Sequence, residues 1–408
     1  MNAPSLDPYQ RRLFGLLSIA TFFEGFDTML ASLMLPQLGA EFGAGQRELF
    51  DTLSVLGLGA LCGFLPLRLA DRFGRRPLLL FSIGGYATLC LATAATRTLD
   101  EFTACQFFAR MFMVTEVALA YVMLSEEMPP ARRGRLNGLL GAVASAGAIV
   151  PAVLLPISID WGAGWRGLYV IGAAPIVLLP LCVLWIREPR AFAALPSRSL
   201  AAEWGELRLL VGSRYRRRFV AAASVWLSID FWNSCAMFSF SFYAQRERGW
   251  TPEDLAWWLP ISGLFQFVGY VAAGRLMDRW GRRRTVMSYL SLASFASAVC
   301  YLGEGGLVVV GYFAMAGLGG MWAVAQTISA ELFPTEVRAT AGGLTHNLIG
   351  RLGMTLGPKL VGVLAVTLGS TGYAVALLGA LNLFVIPLIA ATLPETRGAN
   401  LASRVEED

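Results

Sequence analysis

Charge is scarce in this sequence, and one kind of charge is nearly missing. Only 15% of the 408 residues are Asp, Glu, Lys or Arg; Lys359 is the sole lysine and His346 the sole histidine. With 56% of the chain hydrophobic, too little polar surface remains to wet a soluble protein of this length. Apolar runs of roughly 20 residues recur instead, each long enough for a helix to cross a hydrocarbon core of about 30 Å. Alternating ten-residue segments of the kind that build membrane barrels are lacking, which points to an all-α membrane protein. No phosphate-cradling glycine loop, no metal-ligand cluster and no nucleophile with a positioned base is present. These gaps argue against an ATP-driven pump and against an enzyme, and they give no reason to expect a cofactor or metal. The six cysteines (Cys62, Cys90, Cys105, Cys182, Cys235 and Cys300) sit inside apolar runs without metal-ligand spacing and read as small packing residues.

What is present is a set of twelve spans, centred on residues 13–37, 47–69, 76–95, 101–125, 135–158, 166–187, 219–244, 254–277, 284–302, 306–330, 340–366 and 370–393. The twelve residues before the first span are polar and lack a leader with a small-residue cleavage site, so that span is expected to stay as an anchor. The arginines cluster in RLADRFGRR (68–76), ARRGR (131–135), RYRRR (214–218) and DRWGRRR (278–284). Those are alternate connections and must share one side, the cytoplasm by the positive-inside rule, with both termini on it. The net charge of +5 then needs no nucleic-acid partner. The expected setting is a multi-pass protein of the inner (plasma) membrane, acting as a monomer on a small molecule and protons.

The chain also repeats itself. DRFGRR begins at Asp71 and DRWGRR at Asp278, an offset of 207, while EEMPPARRGR and ELFPTEVRAT align on Glu126 and Glu331 with an offset of 205. Two motifs sharing one shift predict two six-helix bundles, 1–187 and 219–393, joined by a linker over 188–218 and followed by a tail over 394–408. Within the linker, residues 200–210 could form a short surface helix with Trp204, Leu207 and Leu210 on one side.

DRFGRR after the second span and GRLMDRWGRRR after the eighth resemble the signature loop of the major facilitator superfamily. The segments around Glu126 and Glu331, with LPETRGANL at 393–401, are similar to its sugar-porter and metabolite:proton symporter branches. EGFDTMLASLMLPQL in the first span and GRLG (350–353) in the eleventh look most like its aromatic-acid:proton symporters. The resemblance implies a cytoplasmic gate built from Asp71, Arg75, Glu126, Asp278, Arg282, Glu331 and Arg338, with Arg76 and Arg283 beside it. Such charge pairs break when the halves rock. The family's loop has a glycine four residues before its aspartate; Gly274 fits, but Leu67 stands in the first half, which implies a looser contact there.

Ionisable groups deep in a spanning helix are functional candidates by default, because each costs several kcal/mol unless it faces a cavity or a partner. Counting 1.5 Å per residue puts Glu24, Asp27, Arg110, Asp230 and Arg351 near the midplane. Glu24 and Asp27 lie about 60° apart on one helix face, and two carboxylates this close in a low dielectric cannot both ionise cheaply. One is expected to hold a proton at neutral pH, as proton coupling requires. The competing reading has Glu24 on a backbone carbonyl and Asp27 in a permanent ion pair. By resemblance to the proton-coupled sugar porters, Arg110 faces Asp27 as a switchable partner. That motif's glycines are replaced here by Val114 and Glu116, and Glu116 is either a coupling acid or an inter-helix bond.

In the seventh span Trp226, Asp230, Asn233 and Met237 form one stripe, with Asp230 expected to face water. In the eleventh, Asn347 and Arg351 are four apart, with Thr355 a turn further on, and arginine at the midplane suits a carboxylate because it binds bidentately. Arg351 is therefore the expected substrate anchor, against a structural salt bridge to Asp230. Gln266, Trp322 and Gln326 could add contacts to a small organic molecule. His346 is expected to be a hydrogen-bonded structural residue, with a proton relay as the alternative. The reading is a proton-coupled transporter of a small organic acid working by alternating access. The rivals are an organic cation or drug antiporter, a sugar or polyol porter, and a non-transporting sensor.

Overall fold

The computed structural model describes residues 6–189, 212, 215–333 and 341–396. Helix is the only regular structure among them. The first half contains α1 (Pro8–Phe42), α2 (Gln46–Cys62), α3 (Phe64–Phe73), α4 (Arg75–Ala94), α5 (Leu99–Glu127), α6 (Pro130–Asp160), α7 (Gly164–Gly172) and α8 (Pro175–Trp185). The second contains α9 (Arg216–Glu247), α10 (Pro252–Trp280), α11 (Arg282–Leu302), α12 (Gly306–Gly317), α13 (Met321–Leu332), a π-helical segment (Gly343–Gly350), α14 (Arg351–Leu368) and α15 (Thr371–Thr392).

Several spans are broken helices. The pair α2 and α3 bends at Gly63, α7 and α8 meet at Ala173–Ala174, α12 and α13 are joined by a 3-10 turn (Leu318–Gly320), and the π segment runs straight into α14. Among the described residues eleven segments are long and apolar enough to cross a bilayer. The twelfth span is α9, whose 32 residues are ample in length but include Asp230, Asn233 and five serines, which pull down its apolar average. A helix this polar crosses a membrane only by keeping its polar side chains off the lipid, and Ser228, Asp230, Ser234, Ser239 and Ser241 are all buried.

Between membrane helices lipid is as apolar as leucine, so spans are held by close packing rather than by exclusion of water. The α1/α6 crossing shows this. A β-carbon at Gly25 would overlap the carbonyl of Ala144, and one at Gly147 would overlap that of Phe22. Two glycines thus let these backbones touch, with Glu24 and Asp27 on either side of the first contact. Leu13, Leu17, Leu79, Met123 and Leu140 fill the space where α1, α4, α5 and α6 meet.

The contacts divide the chain into two units. The described residues within Met1–Ala44, Val55–Arg198 and Trp250–Pro260 form one; those within Gly45–Ser54, Ser199–Gly249 and Ile261–Asp408 form the other. The expected halves are therefore crossed by two short segments, the starts of α2 and α10. The start of α2 joins the second unit through side chains: Asp51 Oδ1 pairs with Lys359 Nζ at 2.7 Å, and Phe50 packs edge-on to Phe242. Most of the expected linker, including the surface helix proposed over residues 200–210, lies outside the described residues.

Candidate functional site

In the first unit the ionisable groups of α1 and α5 converge. Asp27 is fully buried. The Cys90 thiol approaches its Oδ1 at 3.9 Å, and Oδ2 has no hydrogen-bond partner. Arg110, reaching over from α5, donates from Nη2 to the backbone carbonyls of Asp27 at 3.1 Å and Thr28 at 3.0 Å, and from Nη1 to the Thr28 hydroxyl at 3.2 Å. That hydroxyl in turn donates to Glu24 Oε1 at 3.2 Å. The expected pairing of Arg110 with the Asp27 carboxylate is thus replaced by a clasp on the α1 backbone. One guanidinium nitrogen serves the carbonyls of two successive residues while the other takes the Thr28 hydroxyl, which relays the contact to Glu24.

Glu116, six residues beyond Arg110 on α5, is fully buried with neither carboxylate oxygen bonded, and it lies within electrostatic reach of Glu24. The unit therefore holds two buried acids, Asp27 and Glu116, each with at least one unbonded oxygen. A bare carboxylate in that setting is costly. Tyr86 closes the neighbourhood by donating to the carbonyls of Phe23 at 3.0 Å and Gly172 at 3.1 Å.

In the second unit Trp226 stacks on His346 with ring centroids 3.8 Å apart, and Trp322 meets the same imidazole edge-on at 5.0 Å. The Trp226 indole donates to Ser329 Oγ at 2.8 Å. Asp230, expected to face water, is instead fully buried, with Oδ2 at 3.9 Å from His346 Nε2. Arg351 starts α14 and lies within electrostatic reach of Asp230, half-buried beside Met354 and Thr355. The helical turns just before it are π-helical, over Gly343–Gly350. Asn233, Met237, Gln266, Trp322 and Asn347 are half-buried, and Gln326 is exposed.

At the arginine-rich end the two units carry the same clamp. Gly74 and Gly281 precede α4 and α11 with φ of 101° and 88°, values open to glycine alone at little strain. Each turn presents the first amides of the next helix, and a carboxylate caps them: Glu188 accepts from the backbone N–H of Arg75 at 2.6 Å and of Arg76 at 3.0 Å, Glu395 from those of Arg282 at 2.8 Å and Arg283 at 3.2 Å. The side chains then reach sideways, Arg75 to Glu126 at 2.9 Å and Arg282 to Glu331 at 2.7 Å. Asp278 is exposed and 3.7 Å from Arg282. The Asp71 side chain and the whole of Arg338 lie outside the described residues.

The sequence profile of the Major Facilitator Superfamily matches residues 17–244 and, overlapping, 228–408. The chain belongs to that superfamily. This facilitator is 27% identical over 382 residues to the cis,cis-muconate transport protein of Acinetobacter baylyi, covering 89% of each chain. It is 27% identical over 406 residues to the 4-hydroxybenzoate transporter PcaK of Pseudomonas putida, covering 88% of this chain and 86% of that one. Among solved structures it is similar to the inward-open xylose transporter XylE of E. coli, with a TM-score of 0.74, 16% identity, and 96% and 98% of the two chains covered. That likeness establishes the fold of twelve membrane helices. Membership makes the chain a multi-pass transporter and not an enzyme.

Three contributors to this facilitator's sites escaped the sequence reading. Glu188 was legible, because it stands 207 residues before Glu395 of the LPETRG segment, the offset of the signature loops. Thr28 and Ser329 were not: a hydroxyl that bridges an arginine or holds an indole leaves no trace in periodicity.

Proposed function

We propose that this chain carries a small organic acid, an aromatic carboxylate by preference, together with protons across the inner membrane. The observation that carries this reading is the α1/α5 cluster, where Arg110 is held by the backbone of α1 while Asp27 and Glu116 keep unbonded carboxylate oxygens. In this arrangement Asp27 is disengaged from Arg110, which is the protonated half of a switch. Loss of the proton leaves a bare anion beside a guanidinium, and the attraction between them pulls Arg110 from the α1 carbonyls to the carboxylate. Glu24, tied to Arg110 through Thr28, is drawn into the same change.

Arg351 is the proposed anchor for the substrate carboxylate, with Trp322 for a ring and Asn233, Asn347, Gln266 and Gln326 for polar groups. The substrate class is supported by relatives named for 4-hydroxybenzoate and cis,cis-muconate. The clamps of Arg75 with Glu126 and Arg282 with Glu331, together with Asp71, Asp278 and Arg338 of the same sequence motifs, are proposed to gate the cytoplasmic side. The bundles 1–187 and 219–393 then alternate access in a monomer whose termini are both cytoplasmic, the side that the arginine clusters favour.

The test is uptake of 4-hydroxybenzoate by proteoliposomes under an imposed inward proton gradient. Accumulation above the equilibrium level is expected for the wild type and not for Asp27→Asn or Arg351→Ala. Equal accumulation by all three would refute the scheme.

A further inference from the structure

Asp230 and His346 face each other across 3.9 Å, and neither Asp230 oxygen nor His346 Nε2 has a hydrogen-bond partner. The carboxylate is wholly enclosed, and the imidazole stacks on Trp226 and is met edge-on by Trp322. Packing this specific around an imidazole, with its nitrogen turned to an unbonded acid, is a poor way to build a stabilising contact. A bonded pair of neutral side chains would cost less. It is a good way to leave one vacancy for a proton.

Arg351 is the charged group that acts on both partners. The other elements packed on α9 bring Trp322 and Ser329 from α13 and Thr345 from the π segment to this region, with no further charge acting on the pair among the described residues. The wall is tight as well: a methyl group on Gly350 would sit 3.0 Å from Asp230 Oδ2. Both members of the pair therefore feel what happens to the Arg351 charge.

We propose that Asp230 and His346 form a second proton-holding pair, loaded when a substrate carboxylate takes over Arg351. This rests on the reading of Arg351 as the carboxylate's anchor. Before binding, Asp230 as the anion balances the Arg351 cation and His346 is neutral. A substrate carboxylate adds one negative charge, and one proton from water, bound by Asp230 or by His346 Nε2, restores neutrality. No covalent bond forms or breaks, and the guanidinium stays charged throughout. Because a cation in a low-dielectric site cannot serve two carboxylates at full strength, the acid that loses Arg351 gains affinity for the proton. Substrate binding in the second unit is thus itself a proton-uptake step, separate from the switch at Asp27.

Two measurements on the purified protein test this. Titration calorimetry of 4-hydroxybenzoate in buffers of different ionisation enthalpy counts the protons taken up per molecule bound. The count is expected to fall by about one in both Asp230→Asn and His346→Gln. An unchanged count in both variants overturns the coupling. Ligand-free pH-difference infrared spectra read protonated carboxyl and imidazole bands directly. A feature present in the wild type and missing from both variants supports the pair, and identical spectra in all three proteins overturn it whether or not 4-hydroxybenzoate binds. Failure of 4-hydroxybenzoate to bind the wild type while that infrared feature is present refutes the Arg351 reading and leaves the proton-holding pair standing.

Discussion

Arg110 holds Asp27 by its backbone and not by its acid. The guanidinium donates to the Asp27 and Thr28 carbonyls, and Asp27 Oδ2 stays unbonded. An arginine so placed can change partners within a residue's reach, from two neutral acceptors to one charged one. Charge-assisted bonds are roughly twice as strong as neutral ones, so in the proposed switch the charge state of the Asp27 carboxyl sets where the guanidinium rests.

Substituting Asp27→Asn removes that choice. Proton-driven accumulation of 4-hydroxybenzoate is expected to be lost, while exchange of labelled for unlabelled substrate, which needs no net proton movement, falls less than about tenfold. Parallel loss of both activities in a well-folded variant would count against Asp27 as the coupling group.

Arg110→Lys keeps the charge and loses the fork. A single ammonium cannot hold two carbonyls and the Thr28 hydroxyl in one plane, so α1 is expected to loosen from α5. With charged hydrogen bonds worth about 1.5–3 kcal/mol each, a lower thermal midpoint and slower uptake should appear together. An unchanged midpoint would mean that the clasp contributes nothing to the fold.

Much of this was legible beforehand, and the reasons differ from element to element. Apolar length gave the spans, since a bilayer sets one thickness for all of them. Even α9 could be found, because its run over 219–244 stays apolar enough to span despite its polar residues. The deep acids and arginines stood out by their cost. What could not be read was which atom each would meet: Arg110 on backbone carbonyls, Asp230 enclosed with His346, Asp51 with Lys359. Backbone acceptors have no sequence signature, and the π turn before Arg351 shifts every face after it in a way that α-helical spacing cannot foresee.

The paired caps yield a stability prediction. Glu188→Gln leaves one acceptor for two amides and should lower the thermal midpoint, as should Glu395→Gln, each by about 1–3 kcal/mol of lost stability. The two caps belong to different units, so the double variant is expected to equal the sum of the single ones within about 0.5 kcal/mol. A double variant no worse than either single one would show that the clamps act as one.

Gly25→Leu and Gly147→Leu each drive a side chain into a facing backbone carbonyl. Overpacking of a rigid crossing has no flexible neighbour to absorb it, so poor yield and loss of a monodisperse detergent-solubilised peak are expected. Normal folding of both variants would mean that α1 and α6 are not in backbone contact.

The central claim, that an organic acid and protons move together, is tested most directly without any imposed pH gradient. Proteoliposomes containing a trapped pH dye are given 4-hydroxybenzoate outside. The account predicts interior acidification faster than in protein-free vesicles, slowed to the protein-free rate by Asp27→Asn. Entry of labelled 4-hydroxybenzoate through the protein with no acidification beyond that of protein-free vesicles would contradict it.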